Sequence, residues 1–135
     1  MNDFKLFKFR VLGWTILLLA LIFLMPLCVK ADDWTPDDTK RQIAASIAIA
    51  LDWGTTRNFT KRYEEGYYEK WSPMLIGSHP STSRVDTVMS LWMVSNYFIA
   101  RNLNKSDRKL FQYITIGVHS AATINNYSIG LRVDF

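Results

Sequence analysis

The 135 residues leave room for one domain and a targeting segment. Nearly half are hydrophobic (49%) and 21% are charged, a balance that excludes wholesale disorder and supplies enough apolar material for a core. The formal net charge of +4 sits mostly in the first 31 residues, where Lys5, Lys8, Arg10 and Lys30 face only Asp3, so the near-neutral remainder lacks the basic surface of a nucleic-acid-binding protein.

At the amino terminus, Lys5, Lys8 and Arg10 precede a continuous apolar run from Val11 to Val29. A basic stretch followed by such a run is a secretory signal or a signal anchor. Val29-Lys30-Ala31 places acceptable residues before a cut after Ala31, yet the run also approaches the ~20 residues that a membrane span requires. The chain therefore divides into residues 1–31, a signal peptide or signal anchor, and residues 32–135, a helical membrane-associated domain. Leu27, before Cys28, is not the small residue of a lipidation motif. Cleavage after Ala31 leaves no cysteine and no disulfide.

Thr35-Pro36-Asp37-Asp38 starts the first helix, with a capping threonine, a proline in the first turn and two carboxylates facing the positive end of the helix dipole. Through the stretch that follows, Ile43, Ile47 and Leu51 form one stripe, and the alanines between them leave almost no polar face, as in a segment buried on all sides or set in lipid. A long polar and aromatic connection follows from about residue 61 to residue 83. Ser81, Thr82 or Ser83 caps a second helix, in which Val85, Val88, Met89, Trp92, Met93, Asn96 and Tyr97 recur at helical spacing. Ser106 caps a third, striped by Phe111, Ile114, Val118 and Ala122. From Tyr127 to Phe135 apolar residues alternate strictly, which is a strand period and predicts a short extended tail. The predicted fold class is mostly α: an N-terminal signal or anchor helix, about three apolar helices and the extended tail. The internal apolar cores run short of a membrane span, and the flanking charges favour positive-inside orientation for one helix but not the next, so the number of spans stays open.

The residues suited to chemistry are few. Asp52, Glu69 and His79 form the one set that folding brings together as acid, base and orienting group for a hydrolase. The competing interpretation is structural: Asp52, Thr55, Thr56, Arg57, Arg84 and Asp86 brace helix ends as a polar network. His119 lies on the third helix among apolar neighbours. Two histidines not spaced at i, i+4, with no HExxH or CxxC, predict no metal, and without a phosphate-binding glycine loop no cofactor is expected. Gly77-Ser-His-Pro-Ser81 lacks the second glycine of a nucleophile elbow. Trp71, Met74, Leu75 and Ile76 are suited to a lipid or partner surface.

Several of these residues occur in one order: Asp52-Trp-Gly-Thr-Thr-Arg57, then Tyr68-Glu69, Pro73, Gly77, His79-Pro80-Ser81 and Arg84-Val85. From about Trp34 to Phe135 the chain resembles a family of small phage, prophage and bacterial proteins. In that family an apolar helix ends in Asp-x-x-x-Thr, and a Glu-x-Asn-Pro-x-Leu-Gly-x-His-Pro-Ser loop precedes two more apolar helices. This chain has Glu69-Lys-Trp-Ser-Pro73 in place of Glu-x-Asn-Pro and one more apolar residue before Gly77. The resemblance implies a membrane-associated architecture without an established activity. The expected function is thus a non-enzymatic small envelope protein at the bacterial inner membrane or its periplasmic face. Its expected partners are membrane lipid and another envelope component, not nucleic acid. The alternatives are a membrane-proximal hydrolase using Asp52, Glu69 and His79, and a pore-forming lysis protein.

Overall fold

The computed structural model describes residues 32–62, 64, 66, 77 and 79–135. Three helices account for the regular structure of these residues: α1 (Pro36–Thr60), α2 (Thr82–Asn102) and α3 (Lys105–Ser128). The first begins in a reciprocal cap. Asp38 N–H donates to Thr35 Oγ1 (3.2 Å), and Thr35 N–H donates back to Asp38 Oδ2 (2.9 Å). Ser81 caps α2 through Arg84 N–H. The third helix starts earlier than the sequence suggested: the cap is Asn104, whose Oδ1 accepts from Asp107 N–H at 3.0 Å, and Ser106 lies inside the helix. Only Leu103 and Asn104 join α2 to α3. Helix α1 packs most extensively against α3, less against α2, and α2 touches α3 least.

The expected apolar helices need correction. Among the described residues, no helix is long and apolar enough to cross a membrane. The physical reason is that each helix carries a polar face, and that face points inward. Along α1 the inner seam is Asp38, Gln42, Ala45, Ile49, Asp52, Thr56 and Phe59, at alternating spacings of four and three. Its partner seam on α3 runs Arg108, Gln112, Thr115, His119, Ala122 and Asn126 at the same spacing. Arg108, Gln112, Asp38, Asn96 and Thr55 are fully buried. One apolar cluster consists of Ile49, Val85 and Met89, with Trp53, Val88, Trp92 and Met93 packed around them, and Ala45, Ala48, Phe59, Ala100 and Leu131 are buried as well.

Of the two expectations for the apolar stripe of α1, burial on all sides does not hold, and much of the α3 stripe lies outside too. Ile43 and Ile47 are each 56% exposed, and Leu51, Ile114 and Val118 are exposed as well. The tail also differs from expectation. Helix α3 continues through Tyr127 and Ser128, Gly130 turns the chain at φ 91°, and residues 131–135 form no strand. Leu131 is buried, whereas Ile129 and Phe135 are exposed, so the alternation does not mark one face. What holds the tail is the absence of a side chain at Gly54. A Cβ there would lie 2.7 Å from Val133 Cγ1, and Asp134 N–H reaches Gly54 O at 3.2 Å. Lys61 pairs with Asp134 (2.6 Å), and the Phe135 ring meets Trp53 edge-on. The expectation for residues 1–31 lies outside the described residues.

Candidate functional site: a polar seam through the bundle

The seam is built in layers, one per turn or two of helix. At the top, Arg108 on the first turn of α3 is wholly buried. Its guanidinium has five N–H groups, and five acceptors surround it. Nε donates to Ala100 O (3.0 Å), Nη1 to Asp38 Oδ2 (2.9 Å) and Asp33 O (3.1 Å), and Nη2 to Asp32 O (2.6 Å) and Leu103 O (2.9 Å). Two of these carbonyls, Ala100 O and Leu103 O, belong to the end of α2, where carbonyls run short of backbone donors; Ala100 O accepts a long bond from Leu103 N–H (3.4 Å) as well. The Trp34 ring lies 5.1 Å from the guanidinium, and Arg101 approaches the same ring at 5.0 Å.

Asp38 receives Arg108, Arg41 and the Thr35 cap. Burial alone pushes a carboxyl upward, but hydrogen bonds from the Thr35 backbone and side chain, Arg108 and Arg41 outweigh it, holding Asp38 well below the usual carboxylate range. The next layer consists of amides. Gln112 donates to Asp38 O and Gln42 Oε1, Gln42 donates to Asn96 Oδ1, Asn96 donates to Thr115 Oγ1, and Arg41 donates to Gln112 Oε1. All three helices contribute, and each buried amide has partners, as the low-dielectric interior demands.

Below the apolar cluster lies a grouping with the composition of a catalytic site. His119 Nδ1 meets Asp52 Oδ2 at 2.7 Å, and Trp92 Nε1 donates to His119 Nε2 at 2.9 Å. An indole N–H is only a donor, so Nε2 must offer its lone pair and Nδ1 carries the proton towards Asp52. The imidazole is therefore neutral, in one tautomer, with both nitrogens engaged. Thr56 Oγ1 donates to the other Asp52 oxygen (3.4 Å). Such a histidine is oriented as in a catalytic dyad, but its second nitrogen faces tryptophan and not a substrate.

The residues singled out from the sequence are distributed as follows. Asp52 is part-buried in α1 and paired with His119; His79 is exposed at a bend; Glu69 lies outside the described residues. Thr55 accepts from Asn126 (2.9 Å) and donates to Asp52 O (3.0 Å). Asp86 accepts from Trp53 Nε1 (2.8 Å) and lies 3.5 Å from Arg57 Nη1. The Arg84 guanidinium lies over Gly77, and burial lowers its proton affinity. Trp71, Met74, Leu75 and Ile76 fall outside the described residues. Among the described residues no three His, Cys, Asp or Glu side chains are grouped to hold a metal ion.

Sequence reasoning missed Arg108, Gln112, Gln42, Asn96 and the pairing of His119. A signal existed. An arginine in the first turn of a helix opposes the dipole, and needs another reason to be there. No family model matches the chain, and no curated protein or solved structure is significantly similar to it.

Proposed function

We propose that this is a non-enzymatic, membrane-associated helical protein of the cell envelope, of the phage or prophage type, which binds or modulates another envelope component. The observation that carries this reading is the inverted distribution of polarity. Charged and amide side chains fill the interior, while Ile43, Ile47, Val94, Phe98, Leu110, Ile114 and Ile124 stand outside. Soluble monomers place such residues the other way round, and large exposed apolar surfaces mark contact with lipid or protein. The ordered polar seam supports a scaffold, because the Asp52–His119 pair has no ring nitrogen left for a substrate. Trp71 and Met74 belong to the proposed partner surface on sequence grounds, and alanine at either position weakens partner capture without loss of helix content.

Spin labels test the lipid contact independently of any anchor. In a Cys28→Ser background reconstituted in phosphatidylcholine and phosphatidylglycerol vesicles, a label at Ile47→Cys should relax with dissolved oxygen and resist a water-soluble nickel chelate. A label at Lys40→Cys, whose native side chain is exposed beside Asp37, should show the reverse. Free access of the chelate to position 47 would remove the lipid reading.

A further inference from the structure

The outer face of α3 contains a second seam. Leu110, Ile114, Gly117, Ala121 and Ile124 follow one another at spacings of four, three, four and three, the repeat by which one helix packs along another. All five are exposed, Leu110 at 60% and Ile124 at 69%, and none faces α1 or α2 as the inner seam does. At its centre Gly117 has nothing among the described residues within 4 Å of where a Cβ would stand. Glycine in a helix interior costs about 1 kcal/mol relative to alanine, and among the described residues no contact requires it there. Four residues on, Ala121 repeats the small side chain, giving the notch through which two helix backbones approach closely.

We propose that this seam is where a second copy of the chain docks, α3 against α3, about a twofold axis. The occupant follows from three properties of the face. It is self-complementary, with large residues at both ends and small ones in the middle, as an isologous contact needs. It is free of charge: Lys109 and Arg132 are the first charged residues on either side, so two copies meet without opposed like charges. Its exposed area is sufficient. With the flanking Tyr113 and Val118 it presents roughly 500 Å² per copy, or about 1,000 Å² for the pair, the lower limit of a specific interface. Lipid alone fills no notch that alanine or leucine would not serve equally. The inference goes beyond the membrane reading, because it holds whether the remaining apolar faces meet lipid or protein.

The test is the mass of the full chain in mild detergent, by light scattering, for the native sequence and for Gly117→Leu. The expected result is a dimer that becomes monomeric in the variant, with helix content and melting unchanged because the site is open and leucine is the better helix former. A second variant fixes the geometry. Ala121→Cys in a Cys28→Ser background should cross-link between copies on oxidation, whereas Val94→Cys on α2 should not. A native chain that is monomeric, or a Gly117→Leu chain that stays dimeric, overturns the proposal. So does an Ile114→Cys chain, with Cys28 retained, that forms a disulfide within one copy, for then the chain's own amino-terminal segment covers the face.

Discussion

Arg108 sets the tolerance of the interior to substitution. Its charge is buried with that of Asp38 and all five N–H groups are engaged, so removing it leaves the buried carboxylate with only Arg41 and the Thr35 cap, and takes a donor from four backbone carbonyls. Breaking a buried pair in this way costs about 3–5 kcal/mol. Arg108→Met is expected to lose that much in urea unfolding followed by circular dichroism, and Arg108→Lys to recover only a fraction, since one ammonium cannot reach five acceptors. The acid limb follows from Asp38. Its native proton affinity is depressed below the unfolded value of about 3.9. The stability it confers is complete above the unfolded value and is lost as pH falls towards the native one, because the unfolded chain takes the proton first. Melting temperature should hold from pH 7 to about pH 5 and then fall. Asp38→Asn should start lower and descend less steeply; an unchanged acid limb would assign it to the exposed carboxylates Asp37 and Asp134 instead.

At the level of helices, the caps were legible and the inward faces were not. Thr35 and Asp38 announce the start of α1 by residue type and spacing alone, because capping is local chemistry, and of the three caps open for α2, Ser81, Thr82 and Ser83, the structure selects the first. Thr35→Ala should cost about 1 kcal/mol. The start of α3 was misplaced because Asn104 and Ser106 are both competent caps two residues apart, and only the buried end of α2 selects the first. The stripe of Ile43, Ile47 and Leu51 was visible, but its period alone left open whether it is buried on all sides or faces outward, because the direction depends on what lies outside. The heptads of Asp38, Gln42, Asp52 and of Arg108, Gln112, His119 carry the same period in polar residues, which hydropathy discounts. The tail misled for a related reason. Its alternation is real, yet its position is set by Gly54, a long-range recess that no local pattern reveals. Gly54→Val should strengthen the helix locally and evict Val133. Tryptic cleavage after Arg132 should then accelerate roughly tenfold, corresponding to about 1.4 kcal/mol lost from the docked tail.

Across the whole molecule, the inner and outer surfaces are separable. Replacing Ile43, Ile47 and Leu51 together by glutamine leaves every inner hydrogen bond of α1 in place. The triple variant is expected to keep its helical circular dichroism while remaining in aqueous buffer without detergent. Unfolding of that variant would mean that the outer stripe supports the fold directly.

The clasp around Arg108 also bears on the order of assembly. Asp38 and Arg108 lie 70 residues apart, and Asp32 lies 73 from the Lys105 amide that it receives. A chain emerging from the ribosome exposes the start of α1 long before Arg108, the second of the two arginines that pair with its buried carboxylate, has been made. The first turn of α1 and the end of α2 must therefore wait, open to solvent and to amide exchange, until α3 arrives to close both at once. The third helix completes the two synthesised before it, and a chain stopped after Asn102 lacks the group that joins them.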